Sequence, residues 1–242
     1  MQRFRSDLNQ LKPINSKDTV QNLTRLSRGL FRKFILADTL AVFAVSSINA
    51  AQVKSAGWLW VMTIAYSLQL FLDFAGYTDI AIAAGGFLGF NLPENFNRPY
   101  LQPNLTQFWN RWHISLTQWI RAYFFNPLTR YLRRNSQIPV IIIVLITQLS
   151  TMIVIGLWHG ISLNFLIWGI WHGLGLFIHN RWSNTLGLRI KTLGEKQHRL
   201  QPLIHASSIL LTFCYTSIGW VWFSLPETDQ AWHTLLRLFG KG

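Results

Sequence analysis

A histidine lies where two uncharged segments of this sequence meet, each long enough to cross a membrane. His159 belongs to the phrase GLWHG, 156–160, which ends an uncharged stretch beginning at residue 138 and is followed by a second one, 161–178. An ionisable side chain inside an apolar span is costly to desolvate, so it is by default a candidate functional residue. Imidazole, with an ordinary pKa of about 6.5, is also the side chain best suited to proton transfer near neutral pH. The structural alternative is a histidine whose ring is satisfied by a backbone carbonyl of a neighbouring helix.

A second histidine occurs in the polar, aromatic segment that precedes these spans, 92–137. From Asn104 onward the apolar residues recur at helical spacing and predict one helix with a single aromatic face. That face comprises Trp109, Trp112, His113, Leu116 and Ile120. Aromatic residues at this spacing are typical of a packed core, and they are equally suited to line a dry substrate path. His113 is therefore predicted on an apolar face beside two tryptophans.

The ionisable residues are not spaced as metal ligands or as a carboxylate pair. His159 and His172 would lie about 20 Å apart along an unbroken helix, and neither a carboxylate nor a thiolate stands near them in the sequence. The single cysteine, Cys214, lies inside an apolar run, so no metal site is predicted. Asp73 and Asp79 fall on different faces of a helix, which predicts hydrogen bonds between packed helices for each of them.

Apolar blocks of membrane length must position these residues. Half of the 242 residues are hydrophobic and 13% are charged. A hydrocarbon core about 30 Å thick needs roughly 20 apolar residues as a helix, so the blocks predict an all-α, polytopic membrane protein with about 4–6 transmembrane helices plus re-entrant or interfacial helices. The predicted organisation is a basic cytoplasmic surface segment, a membrane domain and a tail, at 1–33, 34–231 and 232–242. Apolar spans are predicted near 58–72, 76–90, 138–158, 161–178 and 206–223.

The basic residues lie in the segments that flank the apolar spans. The formal net charge is +13, but no soluble basic domain or recognition motif carries it, which argues against nucleic acid as a partner. Lysine and arginine beside spans are the signature of cytoplasmic flanks, so the prediction is a multi-pass protein of the cell (inner) membrane. In the loop that opens the amphipathic segment, Asn97 and Arg98 are candidates either to bind substrate or to fix an irregular backbone.

Five phrases of the sequence stand in a specific order. They are DFAGYTDIA from Asp73, LPENFNRPY from Leu92, FWNRWHISL from Phe108, GLWHG from Gly156 and WGIWHG from Trp168. Together they closely resemble the membrane-bound O-acyltransferase superfamily, and within it the branch of alginate O-acetyltransferases and teichoic-acid D-alanyl transferases. GLFRK from Gly29 and GWVWF from Gly219 are similar to the same branch, so the resemblance covers residues 29–231.

This resemblance implies a reaction and roles for individual residues. It implies transfer of an acyl group, with acetyl favoured, from a cytoplasmic thioester donor to hydroxyls of an extracytoplasmic polysaccharide. His159 matches the family's active-site histidine and is predicted to act as general base, while His113 matches a second family histidine. Residues predicted to bind substrate or line a tunnel are Trp109, Trp112, Trp158, Asn97, Arg98 and His172.

The resemblance also implies the molecules that the reaction needs. The donor is expected as a co-substrate, either acetyl-CoA or an acyl carrier protein thioester, with no bound cofactor. Transfer to the polysaccharide is expected to be direct or to pass through a secreted or membrane-anchored acetyltransferase partner. The lipid bilayer is the remaining expected partner.

Two other functions compete with acyl transfer. Members of this family are generally longer, with further spans before the first phrase seen here, so the chain is expected to correspond to the C-terminal half. It would then be a fragment, an inactive truncated remnant or one piece of a split acyltransferase. A transporter is the third alternative, but its intramembrane charges would line a path along several spans. Here the ionisable groups gather near two histidine motifs instead.

Overall fold

The computed structural model describes residues 15–134, 137–183 and 200–241. Within these ranges all regular structure is helical, which confirms the predicted all-α class. Among the described residues, four stretches are long and apolar enough to cross a membrane: Ser16–Gln52, Ala56–Phe87, Val140–His159 and Gln201–Ser224. Residues 1–14 of the predicted surface segment lie outside the described residues.

The chain divides into two compact units, Met1–Ala44 with Ile64–Asn95 and Val45–Thr63 with Phe96–Gly242. The first unit contains helix α1 (Ser16–Leu30), which continues without interruption through a π-helical stretch, π1 (Phe31–Ala37), into α2 (Asp38–Phe43). The helix therefore does not end at residue 33, where the sequence predicts the boundary of the surface segment.

Helix α4 (Ala56–Phe87) contributes residues to both units. Its length shows that the prediction of two separate spans in this region is wrong. Apolar blocks at 58–72 and 76–90 were expected as separate segments because Asp73 and Gly76 stand between them. The structure joins them in one helix of 32 residues. A salt bridge of 2.5 Å joins Asp73 Oδ1 to Lys33 Nζ, so the charge between the blocks is compensated without ending the helix.

Asp79 is the centre of an ion-pair cluster in the first unit. Its buried carboxylate is 3.0 Å from Arg25, 3.1 Å from Arg28 and 2.7 Å from Arg32. Arg25 also binds Glu94 at 2.5 Å. The three arginines follow helical spacing along one side of the chain, so a single carboxylate joins α4 to the N-terminal helix. The predicted hydrogen bonds between helices are confirmed, with arginine and lysine as the donors.

In the second unit, α8 (Val140–His159) packs closely along α9 (Leu163–Ser183). A Cβ added to Gly169 would lie 2.6 Å from the Met152 carbonyl oxygen, and one added to Gly173 would lie 2.8 Å from the Leu149 Cα. Glycine at these positions lets the two helix backbones approach each other, as small residues do in membrane helix pairs. The predicted separation of the spans near 138–158 and 161–178 is present, because α8 ends at His159 and α9 begins at Leu163.

Helices α10 (Gln201–Ser224) and α11 (Thr228–Leu238) complete the second unit. The Trp171 indole N–H donates to the Tyr215 carbonyl at 3.1 Å, and the Tyr215 hydroxyl donates to the Trp171 carbonyl at 2.5 Å. This reciprocal pair fixes α10 against α9. The guanidinium of Arg237 on α11 donates to the carbonyls of Ala50 and Val53, at 2.7 and 3.1 Å, which ties α11 to the short helix α3 (Ser47–Gln52) and the residue that follows it.

The amphipathic segment is a series of short elements and not the single helix predicted from Asn104. It comprises a 3-10 turn (Pro99–Leu101), α5 (Leu105–Arg111), α6 (Ile114–Ile120), a second π-helical stretch, π2 (Arg121–Phe125), and α7 (Asn126–Arg133). The helix is broken at His113, whose backbone is left-handed with φ 45° and ψ 56°. The helical spacing of apolar residues therefore continues through His113, and this spacing alone does not show that the helix is interrupted there.

Candidate functional site

His113 is held in a strained backbone conformation at the junction of α5 and α6. A left-handed conformation of a non-glycine residue costs roughly 1–3 kcal/mol and persists where its surroundings fix it. Two backbone hydrogen bonds fix it here, from the Trp112 N–H to the Phe108 carbonyl at 2.8 Å and from the Thr117 N–H to the His113 carbonyl at 3.0 Å. The break at His113 separates Trp109 on α5 from Leu116 and Ile120 on α6, so the predicted aromatic face does not lie on one continuous helix.

The break brings His113 to the phrase that contains His159. Ring centroids of His113 and Trp158 are 6.2 Å apart, edge to face. Trp158 and His159, which are adjacent in sequence, have ring centroids 4.8 Å apart with the same type of geometry. Both predicted catalytic histidines therefore contact one indole. Nothing in the sequence spacing of 113 and 159 indicates this arrangement, which depends on the backbone at His113.

An aromatic wall encloses one side of His159. Its imidazole centroid lies 4.9 Å from Phe223, 5.7 Å from Trp168 and 6.1 Å from Phe165. The other side is open: His159 is exposed, and Trp158 is 60% exposed. Within the described part of the chain, the predicted tunnel around His159 is thus a wall on one side and not an enclosure.

Burial governs the protonation of the second histidine. His113 is half-buried, and loss of solvent lowers the pKa of its imidazole below the ordinary value. Its ring is therefore neutral at pH 7, with one nitrogen able to donate a hydrogen bond and the other able to accept one. A neutral imidazole can orient a substrate or a second imidazole without adding positive charge to the site.

Trp109, Trp112 and His172 lie in the packed layer behind the wall. Trp168 stacks on Trp220 at 5.7 Å, and Trp112 contacts the same Trp220 ring at 5.2 Å. His172 is completely buried between Trp109 and Trp168, at 5.2 and 4.8 Å. Neither ring nitrogen of His172 has a hydrogen-bond partner among the described residues. The packed-core alternative therefore fits Trp112, while His172 is buried in the same layer without a hydrogen bond to the described residues.

Asn97 and Arg98 are exposed and belong to a fixed loop. The Asn97 N–H donates to the carbonyl of Arg111 at 3.1 Å, which joins the loop to the end of α5. Arg98 is left-handed, with φ 48° and ψ 53°, and its carbonyl accepts from the Gln102 side chain at 2.8 Å. These backbone contacts show a structural role for the loop and leave both side chains exposed.

Asn164 is a positioning residue that the sequence patterns did not single out. It is buried at the start of α9, and its amide nitrogen donates to the carbonyls of Leu225 and Pro226 at 2.6 and 3.2 Å. These bonds hold the end of α10, which carries Phe223, against the start of α9, which carries Phe165. The available signal was a lone carboxamide in the uncharged stretch after His159.

A cavity of about 220 Å³ lies beside the two histidine-bearing elements. Its walls come from α5, α6, π2, α8 and α9, and Trp109 is among them. The other lining residues are Thr106, Asn110, Thr117, Ile120, Arg121, Phe125, Gln148, Thr151, Met152, Ile155 and Leu176. Trp109 thus has both a core contact and a cavity surface. In the described ranges, no group of three or more His, Cys, Asp or Glu side chains is arranged to hold a metal ion.

Helices long enough to cross a membrane make this an all-α membrane protein, and two imidazoles on one indole form its candidate site. The chain belongs to the membrane-bound O-acyltransferase family, which matches residues 1–196. This confirms the family resemblance seen in the five sequence phrases.

Relatives from three bacteria share most of this chain. A Pseudomonas aeruginosa protein described as "Probable alginate O-acetylase AlgI" is 36% identical over 222 residues, covering 92% of this chain and 39% of the relative. A peptidoglycan O-acetyltransferase of Helicobacter pylori is 33% identical over 240 residues, covering 99% and 42%. A teichoic acid D-alanyltransferase of Streptococcus thermophilus is 29% identical over 243 residues, covering 92% and 57%. The chain therefore spans only part of the length of each of these relatives.

Proposed function

We propose that this chain carries the histidine site of a membrane O-acyltransferase, with His159 as general base. The observation that carries the proposal is the contact of His113 and His159 with the same indole, that of Trp158. The family and the names of the relatives support acyl transfer as the reaction.

The proposed step is attack of a hydroxyl oxygen on a thioester carbonyl. A hydroxyl is a poor nucleophile at neutral pH, and a positioned base that removes its proton during attack contributes roughly 10²–10⁴-fold. His159 takes that proton as the new C–O bond forms. Collapse of the tetrahedral intermediate then breaks the C–S bond, and the proton passes from His159 to the leaving thiolate. The ester and the free thiol are the products, so atoms and charge balance.

His113 has a different role in this proposal. Because its imidazole is neutral, it donates one N–H to the oxygen that gains negative charge in the intermediate, or to the acceptor being positioned. Hydrogen-bond donors aimed at developing charge are often the largest single contribution to acyl-transfer catalysis. A backbone fixed in one unusual conformation suits such a role, since a preorganised donor does not have to reorient during the reaction.

The substrates follow from the relatives. Their names specify alginate, peptidoglycan and teichoic acid, so the proposed acceptor is a hydroxyl of an extracytoplasmic polysaccharide. Acetyl is the favoured acyl group because the first two relatives are named for acetylation. The proposed donor is acetyl-CoA or an acyl carrier protein thioester, used as a co-substrate and not as a bound cofactor.

The proposal also sets the location and the partner. The chain is proposed to be a multi-pass protein of the cell (inner) membrane. Four stretches of its described residues that are apolar enough to cross a bilayer support this location. A secreted or membrane-anchored acetyltransferase outside the membrane either receives the acyl group or completes its transfer.

A second candidate is that this chain supplies part of a site that other segments complete, or is an inactive remnant. The observation that favours it is the open side of His159 and the exposure of Trp158. In that case the aromatic wall is present, and the rest of the enclosure must come from elsewhere.

Membrane vesicles containing the chain, a radiolabelled acetyl thioester outside and an acceptor polysaccharide inside would test the proposal. The expected result is label esterified to the polysaccharide, lost in His159→Ala and retained in the matched control His205→Ala, whose exposed imidazole lies on α10. Label that enters the vesicles without becoming esterified would support a transporter. No label transfer by the chain alone, restored when the N-terminal part of a longer relative is co-expressed, would support the second candidate.

A further inference from the structure

Another cavity, of about 300 Å³, forms a groove between α9 and α10. The C-terminal half of α9 contributes Ile178 and His179, the N-terminal half of α10 contributes Leu211, and residues 103–105 lead from the groove into α5. His179 is 16 residues from the start of α9, which is about 24 Å along the helix axis. The α9–α10 groove is therefore separate from the site that contains His159, which lies just before that start.

The α9–α10 groove opens on an apolar outer surface. Ile178 is 62% exposed and Leu211 is 70% exposed, and α10 is apolar enough to cross a bilayer. The hydroxyls on the α10 wall are bonded within their own helix, since Ser208 donates to the Ile204 carbonyl at 2.7 Å and Thr212 to the Ser208 carbonyl at 2.9 Å. Because their hydrogens are already used, this wall favours an apolar chain over water.

One imidazole supplies a polar end to the groove. The Nδ1 atom of His179 lies 3.3 Å from the hydroxyl of Thr106 on α5. When that hydroxyl donates to Nδ1, the ring hydrogen is on Nε2, which then acts as a donor. Nε2 has no hydrogen-bond partner among the described residues and, unlike the ring nitrogens of His172, is not one of their buried unpaired atoms. It therefore retains surface that a ligand can reach.

His179 lies near the end of α9, where the sequence becomes basic. Residues 181–199 contain five lysines and arginines and one glutamate, which is typical of a cytoplasmic flank. Trp182 also lines the groove and is 42% exposed, and tryptophan is enriched at the level of lipid headgroups. The acceptor available to an imidazole N–H at this level is a lipid phosphate, whose negative charge is complementary to the basic flank.

The shape of the groove is fixed by contacts between its walls. Tyr215 lines the groove, and its reciprocal hydrogen bonds with Trp171 hold α10 against α9. Gly175 lies opposite, and a Cβ added there would overlap the Tyr215 hydroxyl. The groove therefore exists before a ligand enters it, and a ligand does not have to separate the two helices.

We propose that the α9–α10 groove binds a phospholipid of the cytoplasmic leaflet, with an acyl chain between Ile178 and Leu211 and the phosphate bonded by His179. This inference goes beyond the proposed acyl transfer, because the lipid is not a reactant. The bound lipid fills the space between α9, α10 and the residues that lead into α5. Since His179 also contacts Thr106 on α5, the lipid stabilises the element that ends beside His113.

Two lipids that differ only in the headgroup test the phosphate contact. Dimyristoylphosphatidylethanolamine and dimyristoylglycerol have the same chains and ester groups, and only the first has a phosphate. Native mass spectrometry of the delipidated chain, titrated in detergent, gives the affinity of each probe. The expected preference for the phospholipid is about tenfold, the effect of one hydrogen bond to a charged group.

Two variants separate the headgroup contact from the chain contact. His179→Phe is expected to weaken only the phospholipid, by about tenfold, and His205→Phe is its control because this exposed imidazole does not line the groove. Ser208→Phe places a ring in the groove and is expected to weaken both probes by about tenfold, since it displaces methylene groups from the walls. Ser207→Phe is the same change at the exposed neighbouring position. If Ser208→Phe does not accumulate in the membrane, Leu211→Trp replaces it.

Three results would overturn the inference. Equal affinities for the two probes, or a preference that survives His179→Phe, would contradict the phosphate contact. Binding of both probes that is unchanged by Ser208→Phe would place the lipid elsewhere. The same spectra report the oligomeric state, and a dimer that Ser208→Phe dissociates and phospholipid does not would identify a second copy of the chain as the occupant.

Discussion

The imidazole of His113 meets the indole of Trp158 edge to face, with 6.2 Å between ring centroids, and His159 contacts the same indole at 4.8 Å. The arrangement depends on the left-handed backbone at His113, which ends α5 and redirects the chain into α6. Trp158 is thus the physical link between two histidines that lie on separate helical elements.

Removing that link should affect catalysis more than stability. Trp158→Ala is expected to lower acyl transfer at least tenfold, because both imidazoles lose their shared contact. Trp158 is 60% exposed, so the free energy of unfolding should change by less than about 1 kcal/mol. Trp119→Ala is the matched control, since this tryptophan is 56% exposed and its ring contacts Tyr123. Equal activity of the two variants would refute the role of Trp158.

The lowered pKa of His113 predicts how acid affects stability. Because the folded pKa lies below the unfolded value of about 6.5, the unfolded chain binds the proton first as the pH falls. The contribution of His113 is therefore complete above about pH 6.5, decreases as the pH falls from there toward the folded pKa, and is constant below it. Thermal unfolding in detergent should show a shallower acid dependence for His113→Gln than for the unmodified chain. If the unfolding temperatures of the two proteins fall in parallel as the pH is lowered, the lowered pKa of His113 is contradicted.

The carboxylate of Asp79 should be essential for the first unit. Asp79→Asn leaves Arg25, Arg28 and Arg32 close together without their shared anion, and breaking a buried ion pair typically costs about 3–5 kcal/mol. The arginine side chains are 21–51% exposed, so we expect a smaller loss than that, about 2–3 kcal/mol.

Asp73→Asn is the matched control for Asp79→Asn. Asp73 is 44% exposed and pairs with one lysine, so the expected loss is about 0–1 kcal/mol. Thermal unfolding of both variants at low and high salt measures the difference. Similar losses of unfolding free energy in the two variants would show that pairing with three arginines stabilises the unit no more than pairing with one lysine.

Close packing of α8 on α9 can be tested at a single glycine. A Cβ at Gly169 would lie 2.6 Å from a carbonyl oxygen of α8, so Gly169→Ala should cost about 1–3 kcal/mol through overpacking. Gly57→Ala is the control, because its added Cβ would meet only the Ser55 hydroxyl at 3.7 Å. In a helix that change should be neutral or stabilise by up to about 1 kcal/mol. The prediction fails if Gly169→Ala unfolds at the same temperature as the unmodified chain.

The features predictable from sequence were those that depend on local pattern. Apolar length predicted the helices, and the uncharged blocks on either side of His159 predicted that two separate helices meet there. The continuous α4 was not predicted, because the lysine that compensates Asp73 lies 40 residues earlier. The break at His113 was not predicted either, since helical periodicity runs through it without a glycine or proline to mark it.

In the candidate site, too, the residues were predictable from local motifs and their contacts were not. His113 and His159 were predicted from motifs, but their common contact with Trp158 depends on long-range packing. Gln148 and Asn164 carried a weak signal as isolated carboxamides in apolar segments, and the sequence did not indicate which partners they have. Trp109 illustrates why an aromatic stripe is ambiguous, because its ring packs on His172 and also lines a cavity.

The central claim is that His159 is the base for acyl transfer, and chemical rescue tests it most directly. The measurement is the rate of polysaccharide acetylation by His159→Ala, in the assembly that shows activity, with and without added imidazole. We predict a loss of roughly 10²–10⁴-fold in His159→Ala and partial recovery with imidazole, which can reach the position because His159 is exposed. A His159→Ala variant that acetylates at the unmodified rate without imidazole would contradict the claim.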